Sequence, residues 1–481
     1  SLREIHQFKL TTGVQYERQE YNRFIAKTLD AIPDVPNSLS LSTGDPTTKT
    51  VSEAQNHYAI GGYFTRLNYA YQDKYLIEAN ARYDGSSKFD AQNRWKGFWG
   101  VSLGWRVTQE KFMQAVPFLD DLKIRASYGN VGNQNGIGLY DYIQFMNISF
   151  SPGATSSGFP ILGTSPAVRV SPSGTLVALD RTWEKVNNQN IGIDFALLKN
   201  RLYGTVEFFK KKNNNMLIAR TYPAVLGATA PDGNNGTLET KGWELSLGWR
   251  DKIGSLSYHV AGNISDNTNM LVSYGGQKII NSANRGLNGA VEGYPLNTYF
   301  GLVYDGRIQT QEQLEAYRKF IAGNNIGLPA GAATAQANAR LSLGDNMFKD
   351  VNGDGKLTFP EDAVALGRDD PRFVYSFNGG FEWKGFDFSA IFQGVGRRTI
   401  IRDGNWRIPA AVVFQAQNAA FLGKTWSPTN TEAFYPRLST TGTINNYNYY
   451  QSDWIADNGS YIRLKNVVLG YTLPATLTQK T

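Results

Sequence analysis

The residues best placed to do chemistry in this chain fall in one short run, "DVNGDGKLTFPE", residues 350–361. Its twelve positions fit a template of oxygen ligands. Asp350, Asn352 and Asp354 stand at positions 1, 3 and 5, and Lys356 offers a backbone carbonyl at position 7. Thr358 stands at position 9, where a water often intervenes, and Glu361 takes the bidentate carboxylate place at position 12. Gly355 falls at position 6, where the turn needs a residue without Cβ. Calcium takes about six to eight oxygens at roughly 2.3–2.6 Å, and alternate positions of a tight loop supply them. The competing reading is an Asp/Asn/Gly turn that binds nothing. The flanks "LSLGDNMF" and "ALGRDDPRF" lack a sustained 3.6-residue periodicity, and Pro360 sits inside the run. A helical EF-hand pair is therefore not expected, and a single structural Ca2+ loop in irregular backbone is. Such a loop, with an affinity of roughly millimolar order, would serve outside a cell and not in a cytosol.

Other chemistry finds little support. The chain has no cysteine and three histidines, His6, His57 and His259, far apart in sequence. That argues against a zinc site or a thiol nucleophile. No G-x-S-x-G, Walker loop or dinucleotide fingerprint occurs, and "YGNVGNQNGIG" at 128–138 reads as a loop. Asp369 and Asp370 could be nominated as paired carboxylates, but beside Pro371 they read as a turn, so no enzyme is expected. A net charge of +7 over 481 residues, without a Lys/Arg-rich run, gives no nucleic-acid surface. No apolar run of 18 residues exists, and "SLREIHQFKL" has no apolar signal region. If the protein is exported, its leader has been removed or lies outside this sequence.

The elements that must position the 350–361 run are strands. Aromatic residues make up 13% of the chain, and 49 residues are glycine, a balance that favours strands and turns. Period-two alternation over about ten residues dominates. In 74–84, Tyr75, Ile77, Ala79, Ala81 and Tyr83 share one face and Glu78, Asn80 and Arg82 the other. In 240–250, Trp243, Leu245, Leu247 and Trp249 oppose Glu244 and Arg250; in 373–383, Phe373, Tyr375, Phe377, Phe381 and Trp383 oppose Ser376, Asn378 and Glu382. Further strands are expected over 7–17, 62–72, 95–107, 121–129, 189–198, 201–211, 254–265, 385–394 and 461–473, about twelve in all. A parity shift at Lys465-Asn466 predicts a bulge in the last.

Connections alternate long and short. Residues 72–74, 198–201, 251–253 and 384–385 are tight, and 108–120 suits a short helical turn. Residues 18–61, 130–188, 212–239, 266–372 and 395–460 are long. Long connections at one end, with strands apolar on one side and polar on the other, predict an all-β, antiparallel transmembrane β-barrel. Its apolar face meets outer-membrane lipid. Glu78, Asn80, Arg82, Lys123, Arg125 and Glu244 face the lumen, and Trp105, Trp249 and Trp383 sit in interfacial girdles. The calcium-type loop lies in 266–372, on the outside end.

"GYFTRLNYAYQDKYLIEANARYDGSSKF", "NRWKGFWGVSLGWRVTQEKFM", "LKIRASYGNVGNQNG", "DVNGDGKLTFPED", "KGFDFSAIFQGVGRR" and "SYIRLKNVVLGYTLP" occur in that order. Together they resemble the SusC/RagA family of TonB-dependent outer-membrane transporters. The resemblance implies a 22-stranded barrel with an N-terminal plug and a SusD-like lipoprotein over its mouth. It implies TonB-driven import of a large nutrient such as an oligosaccharide or peptide. No plug or TonB box is visible and the family's closing strands are missing. The expectation is thus residues 1–481 as a central and C-terminal barrel portion, with plug and remaining strands from another segment or chain. A passive porin or a surface adhesin on the same barrel is the alternative. The aromatic run "NNYNYYQSDW", 445–454, could stack on sugar rings or pack against other loops.

Overall fold

The computed structural model describes residues 5–28, 49–151, 167–172, 176–218, 225, 231–276, 279–280, 289–322, 341–404, 407, 418–439 and 447–474. Twelve long strands form one sheet, each paired with its neighbours in sequence order. They are β1 (His6–Lys27), β2 (Thr50–Tyr71), β3 (Tyr75–Ser86), β4 (Trp95–Arg106), β5 (Leu119–Asn133) and β6 (Glu184–Leu197). The rest are β7 (Leu202–Ile218), β8 (Gly233–Ile253), β9 (Leu256–Tyr274), β10 (Arg372–Trp383), β11 (Phe386–Arg397) and β12 (Tyr461–Tyr471). Among the described residues no helix is long and apolar enough to cross a membrane. The crossing is made by strands; β2 to β11 have a hydrogen-bonded neighbour on each side, and β1 and β12 are the two edges of the sheet.

The chain divides into two compact units. The first holds residues 1–110, 124–190 and 211–237. Within it β1 to β4 are joined in strict antiparallel register, with Tyr63 opposite Tyr83, Leu67 opposite Ala79 and Ala79 opposite Val101. One face therefore gathers Phe8, Leu10, Val14, Tyr63, Leu67, Tyr75, Ile77, Tyr83, Trp99, Val101 and Leu103, all exposed. Rings concentrate in two bands on this face. One is at the tight-turn end, where Phe8 stacks on Tyr69 and Tyr71 on Tyr75. The other is at the loop end, where Trp95 stacks on Tyr63 and Tyr83. Tyr75 and Tyr83 lie about 26 Å apart along an extended strand, roughly 20 Å of height at a tilt of about 40°, close to the apolar band of an outer-membrane barrel. This is the apolar face that the alternation predicts.

The second unit holds residues 111–123, 191–210 and 238–481. Its strands β9 to β12 repeat the two-faced arrangement. Tyr258, Phe381 and Phe388 lie side by side on the apolar face, and Asn263, Ser376 and Gln393 on the polar one. The bulge is where parity places it. Ile391 pairs with Asn466 but Phe392 pairs with Leu464, so Lys465 is the extra residue. The slip keeps Val467 and Leu464 on the same apolar face although their numbers differ in parity.

Short connections sit at one end of the strands and long ones at the other, as antiparallel pairing of sequential strands requires. In the first unit Arg106 N–H donates to the Lys74 carbonyl at 2.8 Å, tying the 72–74 turn to the end of β4. In the second, Leu198 N–H meets Phe118 O at 2.8 Å and Thr472 N–H meets Gly385 O at 2.7 Å. The 198–201 turn places Leu198, Lys199 and Asn200 all at positive φ, near +60°. The 107–118 connection is helical as expected, in two 3-10 turns.

Strand ends differ from the sequence reading. β1, β2 and β8 run 22, 22 and 21 residues, about twice the length that alternation marks. Stretches such as "ERQEYNRFIAK" of β1 mix polar and apolar residues on both faces and carry no period-two signal. They extend the ladder beyond the apolar band. β9 likewise continues to Tyr274, so the long connection expected over 266–372 begins at 275 in this structure.

Candidate functional site

The polar side of the first unit's wall is laced together. Arg66 reaches Glu78 at 3.7 Å. Arg82 donates to Asp84 at 3.0 Å and to Gln15 Oε1 at 3.1 Å, and its guanidinium lies over the Phe64 ring. Asn80 closes on Gly100 across the strand pair, where a Cβ would meet the amide at 3.2 Å. Arg125 reaches Asn190 Oδ1 at 3.4 Å. Glu78, Asn80, Arg82 and Arg125 thus belong to one unit, while Lys123 and Glu244 lie in the other. Lys123 is half-buried and Glu244 exposed. Within the first unit these side chains form short local pairs.

A buried carboxylate in the first unit escapes sequence reading altogether. Glu184 opens β6 beneath a small core of Phe89, Phe98, Ile137 and Trp183. Its oxygens accept from Asn133 Nδ2 at 2.8 Å, Asn213 Nδ2 at 3.1 Å and Leu217 N–H at 2.8 Å. Nearby, Arg181 bridges Asp141 at 2.7 Å and the Asp232 carbonyl at 2.9 Å. Partners 29 to 51 residues away leave no local signature.

In the second unit the long connections build a core of their own. Leu302, Ile308, Leu314, Tyr317, Ile321, Leu341, Phe348, Leu357, Phe359 and Tyr447 are buried together. Helix α1 (Gln311–Ala322) contributes Leu314, Tyr317 and Ile321 on one stripe. Its start is a capping box. Thr310 Oγ1 accepts from Gln313 N–H at 3.3 Å, and Gln313 Oε1 accepts from Thr310 N–H at 3.2 Å. That signal, Thr-x-x-Gln before Leu and Tyr at helical spacing, was present in a stretch expected to be irregular.

The run "NNYNYYQSDW" packs into this core. Its first two residues lie outside those described; Tyr447, Asn448, Tyr449, Gln451 and Ser452 are buried. Asn448 holds Asn346 and donates to Asp345 Oδ1 at 2.8 Å. Asp345 also accepts from Ser342 N–H at 2.8 Å and pairs with Arg437 at 2.9 Å. Burial pushes the Asp345 carboxyl up, against the pull of Asn448 and Arg437. Of the two roles open to these aromatics, loop-to-loop packing is the one seen.

The 350–361 run lies against the same core through Leu357 and Phe359. Asp350 accepts from Gly353 N–H at 2.7 Å and Gly355 N–H at 2.8 Å. Asn352 Oδ1 accepts from Asp354 N–H at 2.9 Å, and Asp354 Oδ1 from Lys356 N–H at 2.8 Å. Gly355 has φ +78°, the backbone that position 6 demands. Asp362, one place beyond the template, is fully buried and takes the N–H groups of Val351, Asn352 and Thr358 at 2.8, 3.3 and 2.6 Å. Glu361 is exposed. Among the described residues no three His, Cys, Asp or Glu side chains converge as a metal-holding group. The donor set is nonetheless all hard oxygen, and Asp350 and Asp354 keep lone pairs beyond those the loop N–H groups use.

A depression of about 660 Å³ in the second unit lies on the sheet face of Tyr258, Phe381, Phe388 and Phe392. It is apolar and continues the apolar face of β9 to β11.

Comparison with known proteins agrees with this architecture. Residues 3–478 match the TonB dependent receptor-like, beta-barrel family. TonB-dependent receptor P26 of Formosa agariphila is 27% identical over 98% of this chain and 45% of its own length. TonB-dependent receptor SusC of Bacteroides thetaiotaomicron is 25% identical over 85% of this chain and 37% of its own. The RagAB peptide importer in its open-open state superposes with a TM-score of 0.77 at 22% identity, over 99% of this chain and 47% of that one. The chain spans less than half the length of the curated relatives it matches. It belongs to the TonB dependent receptor-like beta-barrel family, whose members are barrels of the outer membrane.

Proposed function

We propose that this chain is the larger wall segment of an active importer that carries a large nutrient, such as an oligosaccharide or peptide, across the bacterial outer membrane. The observation that carries the reading is the two-faced sheet, ring-banded on one side and polar on the other, with the long connections at one end folded around their own core. Transport through such a wall is binding and gating, and no bond chemistry is asked of these residues. The plug, the remaining strands and the contact to TonB would come from segments beyond the part of the receptor that this chain covers. A SusD-like lipoprotein is the proposed partner of the long-loop end. Connections of this size are rare unless they bind something or fold against it. The proposal extends to Ca2+ in the 350–361 loop, held by Asp350, Asn352, Asp354, the Lys356 carbonyl and Glu361, with Thr358 direct or through water. Its task would be structural, tethering an extracellular loop.

The experiment is uptake by cells that carry the full-length receptor as their sole importer, with TonB intact or inactivated. Uptake lost on TonB inactivation supports the importer. Uptake that persists points to a passive porin, and binding of cells to a surface without uptake points to an adhesin. Purification of the intact receptor from detergent without a co-purifying lipoprotein would remove the partner from the proposal.

A further inference from the structure

Four arginines gather at the loop-side ends of β9, β10 and β11. Arg368, Arg372, Arg397 and Arg398 line one pocket of about 240 Å³, with Asp370 and Tyr294 among the other lining groups. Strand register forces the convergence. Arg372 opens β10 and Arg397 closes β11, and the two are direct cross-strand partners. Like charges set opposite each other in a sheet are destabilising, so an arrangement of this kind calls for anions between them.

The carboxylates present satisfy only part of the set. Asp266 forks onto Arg372. Asp370 stands 3.9 Å from Arg368, with its own side chain half in solvent. Arg368 is buried and spends Nη2 on the Asn267 carbonyl and Thr268 Oγ1, each at 3.3 Å. Burial and then the charge of Arg372 hold the Arg368 guanidinium below its usual range. Arg397 and Arg398 make no ion pair among the described residues, and the buried Nε of Arg398 has no hydrogen-bond partner there. The backbone on either side is fixed. Thr399 N–H meets the Arg368 carbonyl at 2.8 Å, and Gly459 N–H meets the Arg398 carbonyl at 2.8 Å.

We propose that this pocket binds one compact oxyanion, a sulfate, phosphate or carboxylate group, between Arg397, Arg398 and Arg368. Planar guanidinium forks match the paired oxygens of such groups. The pocket lies at the strand ends that carry the long loops, so the anion arrives from that side. Its source is either the free inorganic ion or an acidic group borne on a nutrient. Only the second source rests on the import reading. The site itself does not.

The test uses the full-length receptor in detergent and equilibrium dialysis against labelled sulfate and phosphate at physiological salt. Saturable binding of one equivalent is expected. Arg397→Gln and Arg398→Gln should each weaken it by roughly tenfold or more, the loss of a hydrogen bond to a charged group, and Arg398→Lys should weaken it less. Glucose 6-sulfate against glucose separates the sources: displacement of labelled sulfate by the sugar sulfate more tightly than by free sulfate places the anion on a nutrient, and weaker displacement marks the free ion. Absence of saturable binding to the wild-type receptor at millimolar anion overturns the proposal. So does binding unchanged in the Arg397→Gln/Arg398→Gln variant. The wild-type arm decides even where that variant does not fold, and TonB plays no part in it.

Discussion

The Tyr317 and Tyr447 hydroxyls meet at 2.6 Å across 130 residues of chain, and both rings are buried. The Tyr317 hydroxyl also accepts from Phe348 N–H at 2.9 Å. Helix α1, the 346–348 segment and the 447–455 segment are thereby pinned at one point. Tyr317→Phe strands a hydroxyl and an N–H in an apolar core, which costs about 1–3 kcal/mol. The loop core should loosen while the strands stay paired, read as faster proteolysis within 299–368 against an unchanged barrel melting temperature.

The same pair sets an alkaline limit. Burial raises the Tyr317 hydroxyl from 10.0 to about 12, and Tyr447 goes well above its usual value. A folded-state value above the unfolded one gives stability that is complete below the unfolded value and lost as pH rises towards the folded one. Between pH 10 and pH 12 the unfolded loop releases protons that the folded loop retains. Stability then falls by about 1.4 kcal/mol per pH unit for each hydroxyl. Absorbance of phenolate near 295 nm should rise together with loop proteolysis in this window, and Tyr317→Phe should make the pH dependence shallower. Loop proteolysis that stays flat to pH 12 would refute the coupling.

Glu184 offers a test in the other unit. It accepts three hydrogen bonds and donates none. Glu184→Gln keeps the shape but turns one acceptor into a donor facing donors, a loss of about 1–3 kcal/mol. The expected readout is increased hydrogen exchange at Leu217 and in 133–137, with Glu184→Asp intermediate. Unchanged exchange would mean that the Phe89 and Trp183 core holds these segments unaided.

What was legible in the sequence followed from period. Residues 74–84 alternate cleanly, and both faces of β3 lie where alternation puts them. The Lys465 bulge could be read because apolar parity changes across it. The outer halves of β1 and β2 could not be read, since polar and apolar residues mixed on both faces leave no period. Helix α1 could have been found from Thr310, Gln313, Leu314 and Tyr317. Asp362 and the Arg372–Arg397 pair were hidden for a different reason. One depends on where a loop closes and the other on strand register, and neither is a local property of sequence.

The two faces of the wall predict opposite responses to charge. Val101 sits opposite Ala79, midway between the ring bands, on the exposed apolar face. Val101→Arg should destabilise the barrel by about 2–4 kcal/mol, the cost of a cation at the bilayer midplane. Glu78 faces the other way and, among the described residues, pairs with Arg66 at 3.7 Å. Glu78→Gln should change stability by no more than about 1 kcal/mol. Heat-modifiability on gels, with the full-length receptor in lipid, reads both. Equal responses would mean that the Val101 side is not in contact with lipid.

The last prediction concerns the 350–361 loop. Without an ion, the loop is held by Asx-type bonds from Asp350, Asn352 and Asp354 and by Asp362, which closes it from inside the fold. With calcium, the outward lone pairs of Asp350 and Asp354 would gain a partner, and Glu361 would turn inward from its exposed position. The two cases differ in what chelation does. If the ion binds, chelator should speed proteolysis of 345–365 in the wild type, and Asp354→Ala should match the chelated wild type and ignore chelator. Calcium should reverse the effect at roughly millimolar concentration, and magnesium poorly, because it keeps its water and its octahedral geometry. Asp362→Ala separates the roles. It removes the acceptor of three loop N–H groups and should loosen the loop whether or not calcium is present. A wild-type cleavage pattern indifferent to chelator would leave the run as an Asp/Gly turn held by its own Asx-type bonds and by Asp362.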